Sequence, residues 1–392
     1  ARNKKKTALT VLSLGVCGIL LMAGSAYFNS IDPVKMARRS FPYGEIRLEL
    51  GDYGPQAHNS EQYSELQKSN LLTEELRESI RDIDGVEGVK TWQGTVLDVH
   101  MPTGDIEPIV SDAYTPDSVK MLEQYLVDGT ADLQELLDNN GILIENGPQW
   151  EETFGWKASV GDELQIEAGG QSRTVKVMGI VDADIPYGGY DTLFIPLEML
   201  SEIVPAENLN YQFIVDTDDN KWEAVKDEIQ KIIPRASRLY VSTLDEWVGA
   251  YRDKLLNYRI PVYVFVMFIG VFGIINLLNT LITNILTRKR ELGVLQAVGL
   301  SSRQLSKMLL TEGLFYTFWV LLISVSFGTL MGHLLCTVFS AMSFFGKVSY
   351  HFPTFEMFSF FLLMLAVQML FSYLSIRQIK KRSLVDQIWE LS

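Results

Sequence analysis

The chain has 392 residues, which allows two or three domains, and a formal net charge of −14 at pH 7. Residues 30–257 carry 19 Lys and Arg against 43 Asp and Glu, whereas the remaining residues carry 15 Lys and Arg against 5 Asp and Glu. The acidic middle argues against nucleic acid as a partner. An acidic block between basic, apolar flanks indicates a membrane protein with one large domain outside the membrane.

The first apolar run covers residues 7–28 and follows the basic residues Arg2, Lys4, Lys5 and Lys6. A basic start before an apolar stretch is typical of a secretory signal peptide and also of a retained transmembrane helix. At about 22 residues the run exceeds the ~7–15 of a signal peptide's apolar region and suits a bilayer span. A retained span is favoured, because three more apolar runs follow. The sequence begins at Ala1 without a methionine, which suggests either a fragment of a longer polypeptide or a deliberately shortened chain.

The later apolar runs cover residues 260–286, 308–336 and 355–376. Each can cross a hydrocarbon core of about 30 Å at ~1.5 Å per helical residue. Basic clusters occur at alternate ends of the four runs, at residues 4–6, 288–290 with 303 and 307, and 377–382. The excess of Lys and Arg in cytoplasmic loops then predicts that both termini lie inside and that residues 30–259 and 340–354 lie outside.

The segment between the first two runs has the patterns of a mixed α/β domain. Residues 45–50 alternate polar and apolar, as in a half-buried strand. Thr73 is a candidate N-cap for a helix over 74–83, which precedes a strand that includes Val96, Val99 and Met101. The other predicted elements are a helix at 117–126, a short buried strand at 141–147, a hairpin at 161–182 with a Gly169-Gly170 turn, a strand at 211–216 and a helix at 222–233.

Motifs for catalysis, cofactors or metals are missing from the sequence. It contains no G-x-x-x-x-G-K-[ST], H-E-x-x-H or G-x-S-x-G, so we expect no ATP binding by this chain, no enzyme activity of its own and no cofactor. The four histidines, at positions 58, 100, 333 and 351, are scattered, and Cys17 and Cys336 lie in apolar runs. The acidic residues at positions 182, 184, 191, 216, 218 and 219 fit a solvated face better than a calcium site, since EF-hand spacing is absent.

Two ionisable residues fall inside the third apolar run. His333 is either an intramembrane functional group or an imidazole that reaches headgroups or a neighbouring helix. Glu312 could pair with Arg303 or Lys307, or contact a cytoplasmic partner.

Residues 288–301, R-K-R-E-L-G-V-L-Q-A-V-G-L-S, lie between the second and third runs and are the most informative part of the chain. Leu292, Leu295 and Val298 form one apolar face of a short helix, which Gly299 would end. Such a helix can dock into a groove on a soluble partner, although an ordinary hairpin loop is the alternative. The candidate coupling residues are Arg288, Arg290, Glu291, Leu292, Gly293, Leu295, Val298 and Gly299.

This segment resembles the cytoplasmic coupling segment of ABC-transporter permeases of the FtsX/MacB superfamily, in which R-x-R-E-[LI]-G-[VI]-L-[RK]-A-[LI]-G recurs. Gln296 stands where the family usually has Arg or Lys. F-G-W-K-A-S-V-G-D-E-L-Q-I at 154–166, V-K-V-M-G-I-V-D at 175–182 and F-I-V-D-T at 213–217 are similar to the periplasmic core domain of MacB-type permeases. Together with the order of the apolar runs, the resemblance covers nearly the whole chain.

The resemblance implies a bacterial multi-pass protein of the cell membrane with four transmembrane α-helices. Its domains would be residues 1–29 (cytoplasmic N-terminus and first helix), 30–257 (a MacB-like mixed α/β extracytoplasmic domain) and 258–392 (an FtsX-like permease domain with three helices and a coupling segment at 287–305).

The function that the resemblance implies is that of a permease subunit without metal or cofactor. A separate ABC ATPase would drive its outer domain, and a second permease subunit, identical or different, would complete the pathway in contact with membrane lipid. The substrate would be a peptide (an antimicrobial peptide among them), an antibiotic or a lipoprotein. The alternative is a non-transporting regulator of cell-envelope enzymes, as FtsX is. The outer block of about 230 residues favours the first interpretation, because FtsX has a smaller one.

Overall fold

The computed structural model describes residues 4–381 apart from 42, 53, 146–150, 152, 183–190, 219–220, 235–236, 288–293, 295–297 and 342–347. The chain divides into two compact units. The helical unit comprises Ala1–Ile31, Lys254–Ser340 and Val348–Ser392, and the α/β unit comprises Asp32–Asp253 and Ala341–Lys347.

The secondary structure of the described residues alternates helices and strands between two helical ends. The helices are α1 (Lys4–Ser30), α2 (Pro33–Ser40), α3 (Ser60–Gln67), α4 (Glu74–Arg81), α5 (Pro116–Leu122), α6 (Leu133–Asp138), α7 (Leu197–Ile203), α8 (Trp222–Ile232), α9 (Leu244–Thr287), α10 (Ser302–Ala341) and α11 (Thr354–Lys381). The strands are β1 (Ile46–Leu50), β2 (Val86–His100), β3 (Ile106–Tyr114), β4 (Leu126–Gly129), β5 (Gly141–Glu145), β6 (Glu163–Ala168), β7 (Gln171–Val181), β8 (Leu193–Pro196), β9 (Asn210–Thr217) and β10 (Leu239–Thr243).

The four predicted apolar runs lie within the long helices α1, α9, α10 and α11. Among the described residues, Val11–Ser40, Leu244–Asn279 and Gly313–Ser340 are long and apolar enough to cross a membrane by length and composition. Thr354–Leu370 is a shorter apolar helix. The chain therefore has several apolar helices of membrane type, and the number of four spans stays a prediction.

Helix α9 begins at Leu244, well before the apolar run at 260–286. Thr243 and Glu246 cap it reciprocally. The Glu246 N–H donates to Thr243 Oγ1 at 3.3 Å, and the Thr243 N–H donates to Glu246 Oε2 at 3.0 Å. The helix then continues through Pro261. The hydropathy pattern missed this start because it responds to apolar residues, whereas the signal was the Thr-x-x-Glu cap.

The four long helices share one apolar core. Leu14 of α1, Leu277 of α9, Val320 of α10 and Phe360 of α11 are buried together with Met364. Small residues bring the backbones of α1 and α10 close together. A Cβ added at Gly328 would stand 2.6 Å from Met22 Cβ, and one added at Gly332 would stand 3.0 Å from Ala26 Cβ. Glycine at these two positions is therefore part of the interface.

The first half of the α/β unit is an antiparallel sheet in the order β10-β1-β9-β2. Helices α3, α4 and α8 supply apolar side chains to its core. Tyr63 and Leu66 of α3, Ile80 of α4, and Val225 and Ile229 of α8 are buried in one cluster with residues of β1 and β9.

The second half of the α/β unit is a closed cycle of six strands. The pairs are β2–β3, β3–β8, β8–β5, β5–β7, β7–β6 and β6–β2, and β4 pairs with the last residues of β7. The interior holds side chains from every strand of the cycle, and α7 contributes Met199, Leu200 and Ile203 to the same cluster. A small closed barrel is filled by side chains in this way. Strand β2 belongs to both halves, pairing with β9 through its first part and with β3 through its last.

Most local predictions for this unit are confirmed. Thr73 Oγ1 accepts from the Leu76 N–H at 3.3 Å and caps α4. The hairpin of β6 and β7 turns at Gly169-Gly170, where both residues have positive φ, a conformation that glycine adopts at little cost. The helix predicted at 117–126 is shorter than expected, because it ends at Leu122 and is followed by a 3₁₀ turn and then by β4.

The strand predicted at 45–50 is confirmed as β1, but the prediction that it is half-buried is wrong. All five residues of β1 are buried, because β1 lies between β9 and β10 and both of its faces are covered. On the face opposite the apolar core, Arg47 and Glu49 form an ion pair at 3.2 Å. The guanidinium carbon of Arg47 lies 4.6 Å from the ring centroid of Trp247 and 4.9 Å from that of Phe41. Two charged side chains are thus buried where the alternation indicated solvent.

Candidate functional site

The predicted coupling segment connects α9, which ends at Thr287, with α10, which begins at Ser302. Six of the eight candidate residues lie outside the described residues: Arg288, Arg290, Glu291, Leu292, Gly293 and Leu295. Their roles stay predictions. The description resumes at Val294 and again from Val298 onward.

The described part of the segment presents apolar side chains to the surface. Val294 is helical, and the Val298 N–H donates to its carbonyl at 3.0 Å, a hydrogen bond with the spacing found in an α-helix. Residues four apart lie on the same face of a helix. The Val294 residue is 58% exposed and Val298 is 82% exposed. An exposed apolar pair with this spacing suits a docking segment.

A glycine and a cap separate this turn from α10. Gly299 has φ +106, in the region that favours glycine. The Ser301 N–H donates to Gln304 Oε1 at 2.9 Å, and the Gln304 N–H donates to Ser301 Oγ at 3.3 Å. This reciprocal cap begins α10, and Leu305, one residue further on, is buried. Helix α10 is therefore anchored directly beside the exposed valines.

The other residues singled out from the sequence do not gather into one site. The His333 ring is 5.9 Å from the Tyr350 ring, edge to face, and the side chain of Glu312 is outside the described residues. His100 Nε2 lies 3.6 Å from a Glu167 carboxylate oxygen. Both cysteines are buried and unbridged. Across the described residues, no group of three or more His, Cys, Asp or Glu is placed to hold a metal ion.

The comparison with protein families decides the nature of the C-terminal part. Residues 263–384 match the family described as "FtsX-like permease C-terminal". This part of the chain is similar to FtsX-like permease domains. The matched range includes the whole of α10 and the segment at 288–301, so the resemblance of that segment to this family is confirmed.

Two solved structures are similar to about half of the chain. The extracellular domain of the noncanonic ABC-type transporter YknZ from Gram-positive bacteria has 17% sequence identity and a TM-score of 0.30, covering 50% of this chain and 98% of that domain. The periplasmic region of MacB from Actinobacillus actinomycetemcomitans has 8% identity and a TM-score of 0.33, covering 53% of this chain and 92% of that region. Scores this low do not by themselves establish a common fold. No curated protein matches the chain significantly.

Proposed function

We propose that this chain is the permease subunit of an ABC transporter. A separate ATPase chain would hydrolyse ATP, and the permease would convert that cycle into movement of its α/β unit for export or extraction of a peptide, an antibiotic or a lipid-linked substrate. The observation that carries the proposal is the match of residues 263–384 to FtsX-like permeases. The sequence has no G-x-x-x-x-G-K-[ST], so ATP would be bound by the partner chain.

In this proposal the protein is a multi-pass protein of a bacterial cell membrane. Residues 30–257 would be extracytoplasmic, inserted between the first and second of four spans, and both termini would be cytoplasmic. The alternating basic clusters support this orientation. Four spans are too few to enclose a pathway, so a second permease subunit is expected, with lipid around both.

The coupling step would take place at residues 287–305. A short helix seated in a groove on the ATPase would move when the ATPase closes on ATP. Because the segment follows α9 directly and leads directly into α10, its displacement would act on both helices. The exposure of Val294 and Val298 supports this assignment, since a pair of exposed valines suits an apolar groove.

Substitution of the predicted apolar face tests the coupling role. Leu292→Asp and Leu295→Asp should release the ATPase, because an unpaired charge in an apolar groove costs about 1–3 kcal/mol, roughly tenfold or more in docking. Leu292→Met is the matched control and should bind normally. The measurement is co-purification of the ATPase with the tagged permease from membranes. Undiminished co-purification of both Asp variants would show that the segment is a plain loop.

Cysteine labelling tests the orientation. Cysteines at Asn59 and Gly170, both exposed in the α/β unit, should react with an impermeant thiol reagent in intact cells. A cysteine at Val298 should react only after permeabilisation. The native cysteines, Cys17 and Cys336, are buried and give a low background. Protection at both outer positions, or labelling at Val298 in intact cells, would overturn the topology.

A further inference from the structure

A polar network connects three of the long helices, α1, α9 and α11. Its residues lie near the end of α1 that leads into the α/β unit, in the first half of α9 and in the first turn of α11. Glu356, in the first turn of α11, accepts through Oε1 from Asn29 Nδ2 of α1 at 2.9 Å and from the Arg259 guanidinium of α9 at 3.2 Å. The Glu356 side chain is 12% exposed and that of Arg259 is 33% exposed. Most of this ion pair is therefore withdrawn from solvent.

The network continues one helical turn further along α9 and returns to α1. Arg259 donates to the Tyr263 hydroxyl at 2.8 Å, and its guanidinium carbon is 5.0 Å from the Tyr263 ring centroid. The Tyr263 hydroxyl shares a hydrogen bond of 3.0 Å with Ser25 Oγ. Ser25 and Asn29 are four residues apart on α1, so the contacts form a closed ring through α1, α9 and α11. We name these five residues, Ser25, Asn29, Arg259, Tyr263 and Glu356, the Arg259 clamp.

The ring depends on the ion pair at its centre. Glu356 Oε2 is buried and has no hydrogen-bond partner among the described residues, so every hydrogen bond described for this carboxylate is made through Oε1. Removal of the Arg259 charge would leave a carboxylate in a poorly hydrated site, which is unfavourable. Arg259 is also the only member of the ring that contacts both Glu356 and Tyr263. It therefore connects the hydrogen bond between Glu356 and Asn29 with the hydrogen bond between Tyr263 and Ser25.

The connectivity of the chain gives the clamp a mechanical consequence. The main segment of the α/β unit, Asp32–Asp253, is inserted between α1 and α9, so the chain enters and leaves this segment through these two helices. The segment at 287–305 continues α9 and not α1. A displacement of that segment would reach α1 either along the chain through the α/β unit or directly, through contacts between the helices. The clamp supplies such contacts at the end of α1 that leads into the α/β unit.

We propose that the Arg259 clamp makes α1 and α9 move as one body, so that the two ends of the segment Asp32–Asp253 are displaced together when the ATPase closes. This proposal deepens, and rests on, the proposed permease function. Arg259 and Glu356 would be positioning residues. They would stay paired throughout the cycle.

Distance measurements between spin labels test whether α1 and α9 move as one body. The labels replace the exposed residues Leu20 of α1 and Val264 of α9, in a chain that carries Cys17→Ala and Cys336→Ala. The unsubstituted clamp should give one narrow distance distribution in detergent or nanodiscs. In the complex with the ATPase, trapping with ATP and vanadate should leave that distance unchanged. A change on trapping would overturn the proposal, because α1 and α9 would then move separately.

Variants of the ion pair provide the second arm. Arg259→Gln and Glu356→Gln should broaden the distribution or add a longer distance in the purified full-length chain. Arg259→Glu combined with Glu356→Arg should restore the narrow one. Arg252→Gln, which removes an exposed charge from the same helix, is the matched control and should change nothing. Narrow distance distributions in both Gln variants would show that the Arg259–Glu356 pair does not restrain α1 relative to α9.

The two arms separate this proposal from the proposed function. If no ATPase associates with the chain, the permease function fails, yet the distances in the purified chain still decide whether the clamp restrains α1 and α9. If a single variant does not accumulate in membranes, the double variant Arg259→Glu with Glu356→Arg decides whether the pairing of these two residues matters. Recovery of the protein in the double variant supports the pairing, and failure of the double variant to recover it overturns the proposal.

Discussion

The packing of α1 against α10 and α11 allows one substitution to be predicted in detail. Gly18 is buried against Ser324 of α10. In Gly18→Ala the new Cβ would overlap Ser324 Oγ, stand 2.6 Å from Ser324 Cβ and stand 3.0 Å from Phe360 Cε1. Rotation of the serine hydroxyl cannot relieve the clash with Cβ, whose position the α10 backbone fixes. The helices must therefore move apart.

The expected size of the effect is the difference between two terms. Overpacking a tight interface costs about 1–3 kcal/mol. Replacement of glycine by alanine within a helix stabilises the helix by at most ~1 kcal/mol. Gly24 on the same helix isolates the second term, since a Cβ there meets only Val262 Cγ1 at the ordinary distance of 3.5 Å. Gly18→Ala should be destabilised by about 1–3 kcal/mol relative to Gly24→Ala, because the helix term is common to both and cancels.

The measurement is reversible unfolding of the purified chain in mixed micelles, with the free energy of unfolding taken from the SDS midpoint. Gly24→Ala should match or exceed the unsubstituted protein. Ser324→Gly in the Gly18→Ala background removes both clashing atoms of residue 324 and should recover most of the loss. Equal stability of the two alanine variants, or no recovery in the double variant, would refute this account of the interface.

Two further predictions concern the α/β unit and can be measured by hydrogen exchange of β1 and β3 in the full-length chain. Arg47→Met leaves Glu49 buried without its partner and should lower the free energy of opening by about 3–5 kcal/mol, whereas Arg47→Met with Glu49→Leu should stay near the original value. Burial raises the pKa of Asp112 to about 7, opposed by the Tyr211 hydroxyl, which donates to it at 3.0 Å. Between an unfolded pKa of about 4 and this value the folded chain holds one more proton than the unfolded chain, so stability should fall as pH rises from about 4 to 7 and then level off. Asp112→Asn should remove this dependence, and an unchanged profile would contradict the assignment.

The sequence predicted the location of the candidate site and its pattern of residues, but not which side chains are exposed there. The order of charges, apolar residues and glycine at 288–301 indicated a docking helix, and the family match includes that segment. The exposure of Val294, a residue that the sequence analysis did not select, required coordinates. The ionisable residues that attracted attention in the sequence, His333 and Glu312, are not those that form the network between the long helices.

Local patterns in the sequence determined the elements of this protein. Four apolar runs of bilayer length, the Thr73 cap and the glycine turn at 169–170 each depend on residues close together in the chain, and each lies in the element expected from it. Pairing between distant segments could not be read in this way. The six-strand cycle, the burial of both faces of β1, and the pairing of Arg259 with Glu356, 97 residues away, are settled by which segments lie side by side. Periodicity specifies which face of an element is apolar, but not which distant element covers it, and a charge in the sequence does not show whether it meets water or a partner.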